Sequence, residues 1–469
     1  MLPHSCHAIE DQVAALEKAA PTAGTATPRL NRGFVAALML SYFGSNVALV
    51  APIQNVLPRM VEAAAGSSGK ALGLGVVTGI GAFAALVVNP VAGHFSDRLV
   101  TTDNRSGTVL VGLITGGLSL ELLGLSHSLI AIAVWWTLCQ ATINIAYSPM
   151  SAIVVDHVDR RSWGFAWGLI SVAQAVGLIA GFAMVVLAFP GTRAGMTAVT
   201  VMYVVCLAPL VLVLYWLPRV SYSASGSAGS AAAGGKTGSA AGSAGTAGQS
   251  RARFADGMAA LLSAGQGFGK VWAGKFLVIL AETIALLYLF YYLQDVVHYG
   301  NPGQGQLILV VIATAAVIVA TVIVGRIADR SAGGYRRYAV LASALMAVTG
   351  FVLAFGTAWG LVVVCAFALG AGYGAFQSVS QALSIVVLPD PASAGRDLGI
   401  INIASAIPQV IGAPVAGLVV SYGGGYRGLF AFAGLLAMAG AAVFARVTTQ
   451  AAPQAHAAPP GARLPSHRT

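Results

Sequence analysis

Polar side chains recur at helical spacing inside two otherwise apolar stretches, residues 128–154 and 359–388. The two sets are Gln140, Asn144, Tyr147 and Ser151, and Tyr373, Gln377, Ser380 and Ser384 with Gln381 alongside. Steps of four, three and four residues place each set on one face of an α-helix. Amides and hydroxyls in such a row predict a surface that hydrogen-bonds a polar solute. The alternative is that they bond between helices and serve packing alone.

Other apolar stretches add polar residues to these two rows. Tyr42 and Asn46 lie one helical turn apart in the first apolar stretch. Gln174, Asn402 and Gln409 are weaker candidates from later stretches. We expect these residues to line the same cavity if their helices meet.

Glu282 is a carboxylate about ten residues into an apolar stretch, with no cation close to it in the sequence. Charge is disfavoured away from water, so a group placed there is expected to be protonated much of the time. This makes Glu282 the candidate for proton coupling. The alternative is a neutral carboxyl group bonded to a neighbouring helix.

Catalytic and metal sites are not predicted. The histidines lie in tails and loops and form no Ser–His–Asp set, and the cysteines stand at unrelated spacings. We therefore expect neither an enzyme nor a bound cofactor or metal.

The elements that must position these residues are membrane-spanning helices. The 469-residue chain is 57% hydrophobic and 9% charged, whereas soluble domains carry roughly 25% charged residues. Twelve stretches reach the ~20 apolar residues that a spanning helix needs, and we number them spans one to twelve. They cover residues 33–57, 72–95, 107–126, 128–154, 163–188, 197–217, 272–295, 306–327, 338–356, 359–388, 398–421 and 427–446. The predicted fold class is an all-α membrane protein.

The basic residues predict how the chain is oriented. With a cytoplasmic N-terminus, twelve spans leave Arg59, Lys70, Arg193 and Arg427 outside and the other 21 of the 25 Lys and Arg inside. Because these residues lie in short loops, the net charge of +10 indicates topology and not nucleic-acid binding. We expect a multi-pass protein of the plasma (inner) membrane with both termini cytoplasmic.

The segments outside the spans are predicted to divide the chain into two bundles. Residues 1–31 and 447–469 are read as tails, the second of them disordered. A Ser/Ala/Gly tract at 221–250 cannot bury a core and is predicted to be disordered within a cytoplasmic linker over 219–270. The linker separates six spans in residues 32–218 from six in residues 271–446.

The two sets of six spans repeat each other. A G-x-x-x-D-R loop after span two recurs after span eight at an offset of 232 residues. Its residues are Gly93, Asp97 and Arg98 in the first copy and Gly325, Asp329 and Arg330 in the second. A second set of matches keeps an offset of 235 in the fourth loop and fifth span of each half: Arg161, Gly164, Gln174 and Gly177 with Arg396, Gly399, Gln409 and Gly412. Such offsets in matching places indicate an internal duplication.

With this duplicated loop, the chain resembles the major facilitator superfamily over essentially its whole length. The resemblance implies two pseudo-symmetric six-helix bundles, with spans one, four, seven and ten around a central cavity and transport by alternating access. An arginine of the repeated loop can reach a nearby carboxylate. We predict that Arg98–Asp156 and Arg330–Asp390 latch the cytoplasmic side in the outward-facing state. The alternative is that these charges only obey the positive-inside rule.

The sequence favours a neutral polar substrate, because no charged residue lies inside spans one, four or ten. The stretch 395–409 is similar to the span-eleven entry of sucrose and other glycoside:cation symporters. We therefore predict a monomeric carrier in the lipid bilayer, whose partners are a neutral sugar-like small molecule and a proton. Efflux of a drug or metabolite in exchange for protons is the alternative, although span five lacks the proline of the drug-antiporter signature.

Overall fold

The computed structural model describes residues 32–99, 105–157, 163–216, 267–331, 334–387 and 394–447. Within these ranges the regular elements are all helical. The helices are Arg32–Ala51, Leu57–Leu99, Arg105–Gly124, Leu129–His157, Trp163–Ala183, Thr192–Trp216, Phe268–Leu287, Leu289–Asp295, Pro302–Asp329, Gly334–Phe355, Trp359–Val386, Ala394–Tyr422 and Gly425–Ala445. Short π-helical turns at Pro52–Val56 and Met184–Ala188 continue spans one and five. The predicted tails and the disordered tract at 221–250 lie outside the described residues.

Spans one and two form one long helical run that reverses direction at Gly66. This glycine has φ 71° and ψ 175°, a conformation that breaks the helix and that side-chain-bearing residues rarely adopt. In a straight helix Val61 and Gly73 would stand ~18 Å apart. Instead, a Cβ placed on Gly73 would lie 3.0 Å from Cγ1 of Val61. The run therefore crosses the membrane twice.

The number of spans follows from this reversal. Ten described helical runs are long and apolar enough to cross a membrane, with the run Gly33–Asn89 taken as one. Dividing that run at Gly66 adds a span. The pair Phe268–Leu287 and Leu289–Asp295, bent by 47°, adds another. The described part of the chain is thus consistent with the twelve predicted spans.

Span boundaries agree with the prediction except in the first connection. Residues 58–71 were expected to form a loop, yet both helices continue through them up to the turn at Gly66. Hydropathy marks only the apolar part of a helix. Polar residues in this extension are held by partners from distant parts of the chain, described below.

The helix pairs that pack together in the first half recur in the second half, with each span number raised by six. Span one packs on spans five and six, span two on span four, and span three on spans four and six. The second half has the same pairs: seven with eleven and twelve, eight with ten, and nine with ten and twelve. Spans two and eleven form the main contact between the halves, and spans five and eight add a smaller one. The fold is therefore two pseudo-symmetric six-helix bundles.

Paired glycines lie where helices approach most closely. Gly370 and Gly374 of span ten face the backbone carbonyls of Ala313 and Val317 on span eight. Because these contacts involve backbone atoms, a side chain at either position would have no room. Gly177-x3-Gly181 and Gly75-x3-Gly79 make equivalent close contacts with spans one and eleven. Small residues at this spacing let helix backbones approach closely within the membrane.

We predict that Gly374→Ala destabilises the protein, because the added methyl group would overlap the carbonyl oxygen of Val317. Overpacking of this kind costs about 1–3 kcal/mol. Thermal unfolding in detergent should show a melting temperature several degrees lower. Gly360→Ala on the same span is the matched control, since its added Cβ has no atom within 4 Å. Equal melting temperatures for the two variants would contradict the packing assignment.

Candidate functional site

A cavity of ≈ 220 Å³ lies mainly among spans seven, eight and ten of the C-terminal half. Gln54 of span one and Leu178 of span five also line it, so it borders both halves. Its walls are largely aliphatic and aromatic, and include Leu286, Leu309, Val317, Leu369 and Phe430. The polar side chains in the lining are Gln54, Glu282, Thr314, Cys365 and Tyr373.

Among the described residues, Glu282 is the single charged residue in the lining of this cavity. Glu282 is partly exposed, and Tyr373 of span ten lines the same cavity. Within the described residues Glu282 has no hydrogen bond or ion pair. Its carboxyl group therefore has a proton or a solute in the cavity as its available partner.

A second group of predicted residues meets within the N-terminal half, where spans one, four and five adjoin. The Asn46 amide donates a hydrogen bond to the carbonyl oxygen of Gln174, and the Gln174 amide donates to the Tyr147 hydroxyl. Tyr42 packs edge-on against Tyr147, with ring centroids 5.2 Å apart. These contacts join neighbouring helices in the manner of the packing alternative.

The remaining polar residues of span four lie mostly inside the bundle. Gln140 and Asn144 are buried, and the Asn144 amide donates to the carbonyl oxygen of Gln140 at 2.7 Å. Ser151 is half-buried.

On span ten the serines bond to their own helix. The hydroxyls of Ser380 and Ser384 donate to the carbonyl oxygens of Gln377 and Ser380. The buried Oε1 of Gln377 has no hydrogen-bond partner in the described part of the chain. Asn402 and Gln409 of span eleven are exposed. Of the predicted cavity residues, Tyr373 lines the cavity described above.

Lys275 of span seven is a buried cation that the sequence analysis overlooked. It is 1% exposed, and its ammonium group donates to Oε1 of Gln381 at 3.3 Å. It precedes Glu282 by seven residues, which places both on one face of the helix, ~10 Å apart along its axis. That spacing was the signal available in the sequence.

Charged residues close the end of the bundle that carries the turns at Gly66 and at residues 296–301, here called the Gly66 end. Lys70 of the first half contacts Glu62 at 2.9 Å and Asp295 of the second half at 2.8 Å. The amide of Gln294 donates to Glu62, and the hydroxyl of Tyr426 donates to Asp295. Lys70 is 5% exposed, so its charge depends on these two carboxylates.

Hydrogen bonds from tyrosines and glutamines reinforce the closure between the halves. The hydroxyls of Tyr288 and Tyr291 donate to the carbonyl oxygens of Ala71 and Pro58, each at 2.7 Å. The Gln306 amide donates to Oε1 of Gln54 at 2.7 Å. None of these pairs was predicted. For the ion pairs of Lys70, the signal available in the sequence was the opposite charge of residues in the first loops of the two halves.

The repeated G-x-x-x-D-R loop is described in its second copy. Gly325 packs near Ser378 of span ten, and Asp329 accepts a hydrogen bond of 2.8 Å from the Tyr335 hydroxyl. Arg330 ends span eight and has no ion pair within the described residues. Gly93 lies in the helix Leu57–Leu99, whereas Asp390 and the side chains of Asp97, Arg98 and Asp156 lie outside the described residues.

We predict that Lys70→Met opens the Gly66 end, because it leaves Glu62 and Asp295 without their shared cation. Removing one partner of a fully buried pair costs about 3–5 kcal/mol. The side chains of Glu62 and Asp295 are 26% and 32% exposed, so we expect the loss of Lys70 to cost less than a fully buried pair would. Spin labels at the exposed residues Ser67 and His298, in a cysteine-free background, should then show a second, longer distance.

Lys270→Met is the control, since Lys270 bonds to the carbonyl oxygen of Arg446 at the opposite end. An unchanged distance distribution in Lys70→Met would show that the ion pairs do not hold this end closed.

Solved structures of transporters share this fold. The nucleoside transporter NupG aligns with a TM-score of 0.67 at 14% identity, covering 88% of this chain and 99% of its own. A bacterial homologue of the human lysosomal transporter Spinster, in an inward-facing and occupied conformation, aligns with a TM-score of 0.64 at 12% identity, covering 88% and 96%. No curated protein matches this chain by sequence.

The family model described as Major Facilitator Superfamily matches residues 33–333 and 271–468. These two matches cover the repeated loops, both six-span halves and the cavity described above. The chain is an integral membrane protein and belongs to the major facilitator superfamily of transporters.

Proposed function

We propose that this chain carries a small solute across the membrane by alternating access, and that Glu282 couples the movement to protons. The observation that supports the coupling is the position of Glu282 at the cavity, without an ion-pair partner among the described residues. A carboxyl group in apolar surroundings binds and releases a proton as its access to water changes. Alternating opening of the two ends would supply that change.

The closed Gly66 end would face the cell exterior under the positive-inside rule. The predicted orientation in the plasma membrane places both termini in the cytoplasm and Lys70 outside. In that orientation, the ion pairs of Lys70 close the outer side, as expected of an inward-facing carrier. The Arg98–Asp156 and Arg330–Asp390 latches would form when the carrier turns outward.

Two substrate classes follow from different observations. The proposal of a neutral sugar-like substrate rests on the polar residues of spans four and ten. The largely apolar lining of the cavity favours the second candidate, proton-driven efflux of a hydrophobic solute. Each sugar hydroxyl buried without a partner costs roughly 1–3 kcal/mol, and the lining offers few polar side chains to satisfy several hydroxyls.

We predict that Glu282→Gln abolishes proton-driven accumulation, because an amide cannot release the proton. In proteoliposomes with an imposed pH gradient, a panel of labelled sugars and hydrophobic drugs should show at least a tenfold loss relative to the unmodified chain. Normal accumulation with normal pH dependence would exclude this role for Glu282.

Glu121→Gln is the matched control. Glu121 also lies in a membrane-spanning helix, but it accepts a hydrogen bond of 2.9 Å from Thr197 and does not line the cavity. Its substitution should leave accumulation unchanged.

We predict that Asp97→Asn slows transport and increases cytoplasmic accessibility, because it weakens the loop that positions the Arg98 latch. Thiol labelling of cysteines introduced near residues 100–104 would measure the accessibility. Asp329→Asn in the second copy should act in the same direction. Full transport with unchanged labelling in Asp97→Asn would show that the latch does not exist.

A further inference from the structure

We propose that the cavity beside Glu282 binds a hydrophobic organic cation, whose positive charge pairs with the Glu282 carboxylate. The inference rests on the proposed proton-coupled transport and names the solute that would exchange with the proton. Three features of the cavity carry it: the apolar lining, the isolated carboxyl group and the aromatic rings nearby.

The apolar lining selects for a solute with a large hydrophobic part. Leu286, Leu309, Val317 and Leu369 belong to spans seven, eight and ten and face a common space. Transfer of apolar surface from water into such a space is favourable and needs no directional contact. Sites of this kind take their specificity from a few polar groups among apolar walls.

Glu282 is the group that can give the site its charge preference. The other titratable residues in the described lining are Tyr373 and Cys365, both from span ten. The described residues that spans one, five, eight, nine and twelve contribute to the lining are uncharged. An ionised carboxylate without a partner in apolar surroundings is costly. The site is therefore stable with a proton on Glu282 or with a cation beside it.

Aromatic rings favour the same class of solute. Tyr373 and Phe430 both line the cavity, and the face of an aromatic ring attracts a cation. An anionic solute would meet the carboxylate and find no basic side chain in the described lining. Lys275 lies two helical turns away on span seven and is bonded to Gln381.

The exchange conserves charge within the site. A protonated Glu282 releases its proton to water, and the resulting carboxylate pairs with the cation. The reverse step releases the cation when a proton returns. One site then cannot hold both, which is the requirement for exchanging a cation on one side for a proton on the other.

Benzyltrimethylammonium tests the proposal, because its charge is permanent and its neutral isostere, neopentylbenzene, has the same shape. Binding of the labelled cation to the purified full chain is measured in detergent. A pH indicator in weak buffer measures the protons that are released on binding. We expect saturable binding that releases up to one proton per cation and weakens as the pH falls. Neopentylbenzene should release no proton.

Glu282→Gln should lower the affinity for the cation at least tenfold and abolish proton release. Glu282→Asp keeps the carboxylate and should retain proton release, which separates loss of charge from loss of folding. Glu121→Gln should behave as the unmodified chain. Equal cation binding by Glu282→Gln, or binding without proton release, would overturn the proposal.

The outcomes also separate this inference from the proposed function. If a sugar accumulates on a pH gradient through Glu282 while benzyltrimethylammonium does not bind, the cation site is wrong and proton-coupled transport stands. If the cation binds at Glu282 but no pH gradient drives its movement, the cation site stands and proton-coupled transport is wrong.

Discussion

A polar group inside a bilayer must find its partner within the protein, and this constraint governs most of the structure. Backbone groups are satisfied by helices, and hydroxyls such as those of Ser41, Thr78 and Ser343 donate to carbonyl oxygens one turn earlier. Lys70 is buried and has two carboxylates. Against this background Glu282 is distinctive, because it lines a cavity and has no hydrogen bond or ion pair among the described residues.

The same constraint explains where the described charged contacts between the halves lie. Glu62, Lys70 and Asp295 meet beside Gly66, where the helices leave the apolar region and long polar side chains can reach across the interface. Deeper in the bundle, spans two and eleven approach through small residues: a Cβ on Gly75 would lie 2.7 Å from the carbonyl oxygen of Ala413. Small residues therefore bring spans two and eleven into close contact between the halves.

Within each half, glycine contacts of the same kind hold neighbouring helices together. Glycines of span ten sit directly on the backbone of span eight, and Gly177 of span five sits on the carbonyl oxygen of Phe43 in span one. Contacts of this closeness are lost if the helices separate, so each half should move as a unit. The cavity is built mainly within one half and is only bordered by the other. A turn between the halves would therefore change the access to Glu282 more than its immediate surroundings.

Much of the fold could be predicted from the sequence because lipid imposes simple rules. A span needs a minimum apolar length, small residues four apart mark close helix contacts, and repeated loops at constant offsets reveal the duplication. These are local or periodic properties, and each survives in the structure. The helical extensions on either side of Gly66 were missed because hydropathy does not register polar helical turns that gain partners elsewhere.

The sequence by itself determined the helical spans, the duplicated halves and which residues share a helical face. Tertiary structure alone decided what each face meets. The helical spacing treated Asn144 and Tyr373 alike, but Asn144 bonds within its own helix whereas Tyr373 lines the cavity with Glu282. Lys70 and Asp295 are 225 residues apart in the chain, and no periodicity relates them. Periodicity defines a direction around one helix axis, whereas a partner depends on the placement of a second helix.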